Sequence, residues 1–234
     1  MRRRIGPLRR GIAALTSAVL AIGLVFASGT LPVGWNPFSP LALDEAPGPA
    51  TRLKLRMLLA TPGQCQALME PVGNAAIPDR QESPQCHLRS GVRLTQLSRA
   101  ALTAVETRCG IALRMWFWER DLQEQAEDLL GSPIARIWHF SSYACRTIRT
   151  PRGPSTRMSQ HATANAIDIS GFTLADGRQI SLLQDWTGSG PEAAFLRAAH
   201  RLGCRWFPLV LGPDYNRFHA NHFHFDAGFW TGCR

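Results

Sequence analysis

A chain of 234 residues, 45% hydrophobic and 18% charged, has room for one ordinary domain and enough apolar side chains to bury a core, which excludes wholesale disorder. Its 7 Trp and 11 Phe, with no Gly-X-Y period, exclude collagen-like and simple repeat architectures. The formal charge of +9 invites a nucleic-acid partner, but Arg2, Arg3, Arg4, Arg9 and Arg10 carry five of those charges; the remaining +4 and the lack of a groove-reading motif argue for no nucleic acid.

The basic N-terminal residues precede an apolar run, residues 11–27, that contains Leu15, Val19, Leu20, Ile22, Leu24, Val25 and Phe26. This pattern predicts export. Val25-Phe26-Ala27 offers acceptable residues for signal-peptidase cleavage, and the run is at the short limit for crossing a bilayer, so residues 1–27 are read as a signal peptide or a retained membrane anchor. Either outcome places the remainder in the periplasm or cell envelope. Residues 28–62, with Pro32, Pro37, Pro40, Pro47 and Pro49, read as a Pro/Gly-rich linker, and residues 63–234 as the folded domain.

All six cysteines, Cys65, Cys86, Cys109, Cys145, Cys204 and Cys233, follow the export segment, and none forms a C-x-x-C pair. Disulfide bonds are therefore expected, the near neighbours Cys65 and Cys86 being the first pair to consider. Pro71, Gly73, Asn74, Pro78 and Pro84 predict a looped region between those two. Leu97, Ala101, Leu102 and Val105 after Thr95 fall on one helical face, predicting a helix that stops at Gly110. A second helix is predicted over 119–130, ending at Gly131. The aromatic run Trp116-Phe117-Trp118 reads as core in preference to a binding groove.

Residues 134–140 predict a strand. Residues 166–170 and 179–182 predict a hairpin, since Asp176-Gly177 between them suits its turn. Gly190-Pro191-Glu192 opens a helix with Phe195, Ala199 and Leu202 as its apolar stripe and Gly203 as its stop. Residues 222–226 alternate so that His222, His224 and Asp226 share one strand face and Phe223 and Phe225 the other. The mixture predicts an α+β fold, a small antiparallel sheet flanked by helices.

Two short segments concentrate the chemistry. One carries His161 and Asp168 in S-Q-H-A-T-A-N-A-I-D; the other holds His219, His222 and His224, three of the seven histidines. Two imidazoles and a carboxylate make a suitable three-ligand set for catalytic zinc, with a fourth position open for water whose pKa falls to about 7. Each piece has an ordinary alternative: a satisfied core histidine for His161, a partnered carboxylate for Asp168, a solvent-facing strand for His222 and His224. The combination favours a metal site.

The pattern S-x-H-x-x-(G/A)-x-A-x-D followed by H-x-x-H-x-H resembles the zinc peptidases that include D-alanyl-D-alanine carboxypeptidases, D,D-dipeptidases and murein endopeptidases, whose fold the Hedgehog signalling domain shares. Ser142-Tyr143-Ala144-Cys145-Arg146, Leu211-Gly212-Pro213-Asp214-Tyr215-Asn216 and the cysteine distribution resemble the bacterial extensin-like C-terminal domain family more closely, from about Cys65 to Cys233. The resemblance implies a Hedgehog/DD-peptidase-like fold and a zinc ion held by His161, Asp168 and His224. His222 then lies just outside the ligands.

Where some peptidases of this group carry a Glu as base, this sequence has Asn221, an amide that takes no proton at neutral pH. His222, His219 and Asp214 are the local substitutes, with His222 preferred because it shares a strand face with His224. Arg146 matches an Arg that clamps the substrate carbonyl or its oxyanion, and Ser159 is a substrate hydrogen-bond or ligand-supporting residue. Two departures stand out: Ala164 where many members have Gly, tolerable if its φ is negative, and Gln160 in place of a frequent acid.

The expected function is that of an exported zinc metallopeptidase, a hydrolase acting on amide bonds of peptidoglycan stem peptides or cross-links in the cell wall. The alternative is a wall-binding module that keeps the fold without cleaving.

Overall fold

The computed structural model describes residues 7–61, 63–151 and 153–234. Arg2, Arg3 and Arg4 of the basic segment lie outside the described residues. Two compact units divide the chain at Met1–Leu58 and Leu59–Arg234.

In the first unit, helix α1 (Pro7–Ala27) exposes Ile12, Leu15, Val19, Leu20 and Leu24. Among the described residues no helix is long and apolar enough to cross a membrane. The segment expected as a Pro/Gly-rich linker contains a helix, α2 (Thr51–Leu59), whose Lys54 is 4% exposed. The Lys54 ammonium donates to the carbonyls of Val33 and Pro40 and to Ser39 Oγ, so the proline-rich loops wrap around a buried cation that fixes them. Composition alone hid this helix, because a long-range polar contact anchors it.

The second unit is α+β, as expected. Its helices are α3 (Gln64–Met69), α4 (Cys109–Leu130), α5 (Leu182–Asp185) and α6 (Pro191–Trp206). Its strands are β1 (Ala75–Ile77), β2 (Arg80–Gln81), β3 (His87–Leu88), β4 (Gly91–Gln96), β5 (Ala101–Arg108), β6 (Ile134–His139), β7 (Thr147–Thr150), β8 (Gly153–Met158), β9 (Ala166–Leu174), β10 (Gln179–Ser181), β11 (Leu209–Leu211), β12 (Phe223–Asp226) and β13 (Gly232–Cys233). The main sheet runs β1-β4-β5-β6-β9-β12-β11-β13, with β10 paired to β9. It is antiparallel except for the parallel pairs β5–β6 and β11–β13. β2–β3 and β7–β8 form separate two-stranded hairpins.

The predicted helix from Thr95 is overturned: residues 91–108 form the β4–β5 hairpin instead. Val105 and Thr107, β-branched and buried, suit a strand, and the intervening turn has a specific anchor. The fully buried Glu119 carboxylate of α4 accepts from the backbone N–H groups of Ser98 at 3.0 Å, Arg99 at 3.3 Å and Ala100 at 3.0 Å. Helix α4 accordingly begins ten residues before the predicted start, with Gly110 inside it. Trp116, Phe117 and Trp118 are core residues of this helix. Gly131 does end it, in the left-handed conformation at φ 68°.

The β9–β10 hairpin forms around Gly177 at φ 89°. Helix α6 runs past Gly203, whose lack of a side chain serves packing and not helix termination, since a Cβ there would sit 2.7 Å from the Phe225 ring. The disulfides are Cys65–Cys109, Cys86–Cys145 and Cys204–Cys233, correcting the expected Cys65–Cys86 pair. Sequence proximity was a poor guide, since Cys65 on α3 faces the start of α4, whereas Cys86 meets the loop that carries Arg146.

The sheet has two distinct faces around β9 and β12. Phe225 pairs with Ile167, and its ring meets Trp118 of α4 edge-on at 5.1 Å, so this face packs against the helices. Asp168 and His224, paired directly across the same two strands, point to the opposite face. A register shift between Trp138 and His139 of β6 lets Phe172 join the helical side, where it also meets Trp118.

Candidate metal centre

His161 reaches Asp168 and His224 from a 3-10 turn, Gln160–Thr163. Ser159 caps that turn, its Oγ accepting the His161 N–H at 3.3 Å. Ala164 closes it with φ 49°, so the condition of a negative φ is not met. The left-handed backbone persists because the Ala164 carbonyl is fixed by the Arg108 N–H at 3.1 Å and the Thr107 hydroxyl at 3.2 Å.

Three atoms converge on the sheet face opposite Phe225 and Trp118. Asp168 Oδ1 is 2.9 Å from His224 Nδ1 and 3.2 Å from His161 Nε2, and the two nitrogens are 3.1 Å apart. All three residues are buried, at 1 to 9% exposure. The outer nitrogens decide what the inner ones present. His161 Nδ1 lies 2.9 Å from the Ser142 carbonyl, an acceptor only, so Nδ1 donates and Nε2 carries a lone pair. His224 Nε2 faces Asp226 Oδ2 at 3.3 Å and donates to it, leaving Nδ1 as the lone-pair atom.

Two imidazole lone pairs and a carboxylate oxygen thus face one another in a buried space. Tetrahedral zinc with bonds of about 2.0–2.1 Å sets its ligand atoms about 3.3 Å apart, close to this triangle. The donor set and its spacing fit a zinc ion. Without a metal the conflict is relieved by a proton: burial opposes charge on His224, but the carboxylates of Asp168 and Asp226 outweigh it and raise its pKa to about 9. Burial likewise disfavours the Asp168 anion, yet the neighbouring imidazoles, above all the protonated His224, hold its carboxyl far below the usual range.

His222 stands at the edge of this cluster. Its Nε2 is 3.7 Å from Asp168 Oδ1, and its Nδ1 donates to Asn221 Oδ1 at 2.9 Å, so Nε2 is free to accept a proton. Burial lowers its pKa, opposed by Asp168. His219 packs its ring 5.2 Å from His222 and 5.8 Å from His224, and donates from Nδ1 to Asn216 Oδ1 at 2.8 Å. Burial, then the neighbouring His224 and His222, push the His219 pKa down to about 4. Arg146, half-buried before β7, acts electrostatically on Asp168, His219 and His222, and its Nη1 donates to the Thr147 carbonyl at 3.3 Å.

The extensin-like protein C-terminus family model matches residues 63–234. The chain belongs to that family. No curated protein and no solved structure matches it.

In this extensin-like domain, His161, Asp168, His224, His222, His219 and Arg146 therefore assemble around one face, and Ser159 supports His161 from behind. Asp214 does not join them: it accepts Trp186 Nε1 at 2.8 Å and lies beside His200. Gln160 braces the turn by accepting the Asn165 side-chain amide at 2.8 Å. A second cluster, His200, Cys204 and Cys233, has its two sulfurs committed to a disulfide.

Sequence reasoning missed the supports. The Ser142 carbonyl had no signal of its own, since a backbone acceptor leaves no trace in residue type. Asp226 did have one: it shares the period-two face of His224, and a carboxylate beside a ligand imidazole is its usual partner.

Proposed function

We propose that this protein is an exported zinc-dependent hydrolase that cleaves an amide bond in peptidoglycan stem peptides or their cross-links. The observation that carries the reading is the convergence of three electron-pair donors beside two further histidines that are not needed as ligands. His161 Nε2, Asp168 Oδ1 and His224 Nδ1 would hold the ion. When bound, zinc supplies a Lewis acid for the scissile carbonyl and lowers the pKa of water at the site.

The remaining steps belong to the chain. His222, neutral because burial depresses its pKa, takes a proton at Nε2 from the attacking water and returns it to the leaving amine. His219 is the second candidate for that transfer. Arg146 places a permanent cation where the carbonyl oxygen gains negative charge; one well-aimed donor of this kind is worth about 3–4 kcal/mol of transition-state stabilisation. Ser159 keeps His161 in place and offers its hydroxyl at the site margin. The order of the ligand motifs supports kinship with the zinc D,D-peptidases and their Hedgehog-like fold, and the export segment supports a wall substrate.

A wall-binding module without activity is the second reading, favoured by Asn221 where a catalytic Glu stands in related peptidases. Mass spectrometry of purified wall incubated with the protein separates the two. New peptide fragments that disappear with chelator establish the hydrolase, and an unchanged fragment pattern with zinc bound establishes the module.

A further inference from the structure

Beyond β12 the chain carries two aromatic side chains outward, Phe229 at 90% and Trp230 at 58% exposure. Exposed neighbouring aromatics are unfavourable in water and mark a contact surface when the chain holds them rigidly. Here their base is rigid. Asp226 Oδ1 accepts the Gly228 N–H at 2.9 Å, Ala227 N–H donates to the Asn165 carbonyl at 3.1 Å, and a Cβ at Gly228 would meet Gln160 at 2.5 Å. The loop is thus tied through Asn165 and Gln160 to the turn that carries His161, and braced internally by the carboxylate that orients His224.

Across from it, the β7–β8 hairpin lays the exposed Arg157 guanidinium over the Trp230 ring at 5.0 Å. Exposed Arg149 stands on the same hairpin, and between His139 and Asp168 the sequence has no acidic residue. Among the described residues no carboxylate pairs with Arg157. A guanidinium stacked on indole keeps its N–H edge available for bidentate binding of a carboxylate. The flat aromatic faces suit the C–H face of a sugar ring.

The geometry points to Trp230, Phe229 and Arg157 as a grip for the glycan strand of peptidoglycan, with a sugar ring on one open face of the two perpendicular aromatic rings and an attached carboxylate on the arginine. This rests on the wall-substrate reading above and adds how an insoluble polymer is held beside the metal centre.

The test is co-sedimentation of the full chain with purified insoluble peptidoglycan, alongside cleavage of a soluble, glycan-free stem peptide. Trp230→Ala and Arg157→Ala are expected to bind at least tenfold more weakly than wild type, with the soluble peptide handled as by wild type. Thermal melting of both variants confirms the fold, as the substituted side chains are exposed. Wild-type-like sedimentation of both variants, or no sedimentation of the wild type, overturns the grip. Sedimentation that depends on Trp230 without any peptide cleavage supports the grip and overturns the hydrolase, so the two failures are distinguishable.

Discussion

Asp226 Oδ2 lies 3.3 Å from Nε2 of His224, the ring nitrogen that points away from the ligand cluster. That contact fixes which nitrogen of His224 presents a lone pair to Asp168. Replacing Asp226 by Asn lets the ring choose the other tautomer. Zinc affinity should fall by about 10- to 100-fold, the usual effect of losing an outer partner of a ligand histidine, as measured by competition with a chromophoric chelator.

Glu119 bears on stability rather than function. Glu119→Ala strands the donors at Ser98, Arg99 and Ala100 and removes the anchor of the β4–β5 turn. A loss of about 2–4 kcal/mol is expected in urea denaturation, with Glu119→Gln intermediate.

Ala164 holds a left-handed backbone at φ 49° that glycine adopts without strain. Relief of about 1–2 kcal/mol is partly offset by the greater chain entropy of glycine in the unfolded state. Ala164→Gly should therefore raise the melting temperature by about 1–4 °C. A lowered melting temperature would mean that losing the buried Ala164 methyl outweighs the relief of strain.

In metal-free protein the His219 pKa is about 4, below the ordinary 6.5. Between those values the unfolded chain binds more protons than the folded one, so this residue makes stability increase as pH rises from about 4 to 6.5 and adds no slope above. The His219→Gln variant should show a flatter stability profile than wild type in that window, compared by chemical denaturation at several pH values.

Cys86–Cys145 ties the loop bearing Ser142 and Arg146 to the β2–β3 hairpin across 59 residues of sequence. Replacing both cysteines by Ala should cost about 4 kcal/mol on the loop-entropy account. Zinc affinity should weaken as well, because the Ser142 carbonyl that orients His161 lies three residues from Cys145.

Much of the domain is legible in residue pattern, and what is not has a common cause. The β9–β10 hairpin, β6, α6 and the His222–Asp226 alternation are written in local periodicity and turn chemistry. The β4–β5 hairpin resembles a helix in sequence because Leu97, Ala101 and Val105 also fit a helical spacing; the turn is decided by Glu119, about twenty residues away. The three converging side chains were visible as residue types in two motifs. The choice of lone pairs was not, since it depends on the Ser142 carbonyl and on where Asp226 points. Disulfide pairing likewise follows the packing of α3 on α4, which no spacing encodes.

The most direct test is the zinc content of purified protein and its single variants after loading and removal of free metal. The wild type is expected to hold one zinc per chain, His161→Ala, Asp168→Ala and His224→Ala to lose it, and His222→Ala and His219→Ala to retain it. A wild type that retains no zinc, or ligand variants that keep a full equivalent, would contradict the three-ligand metal centre.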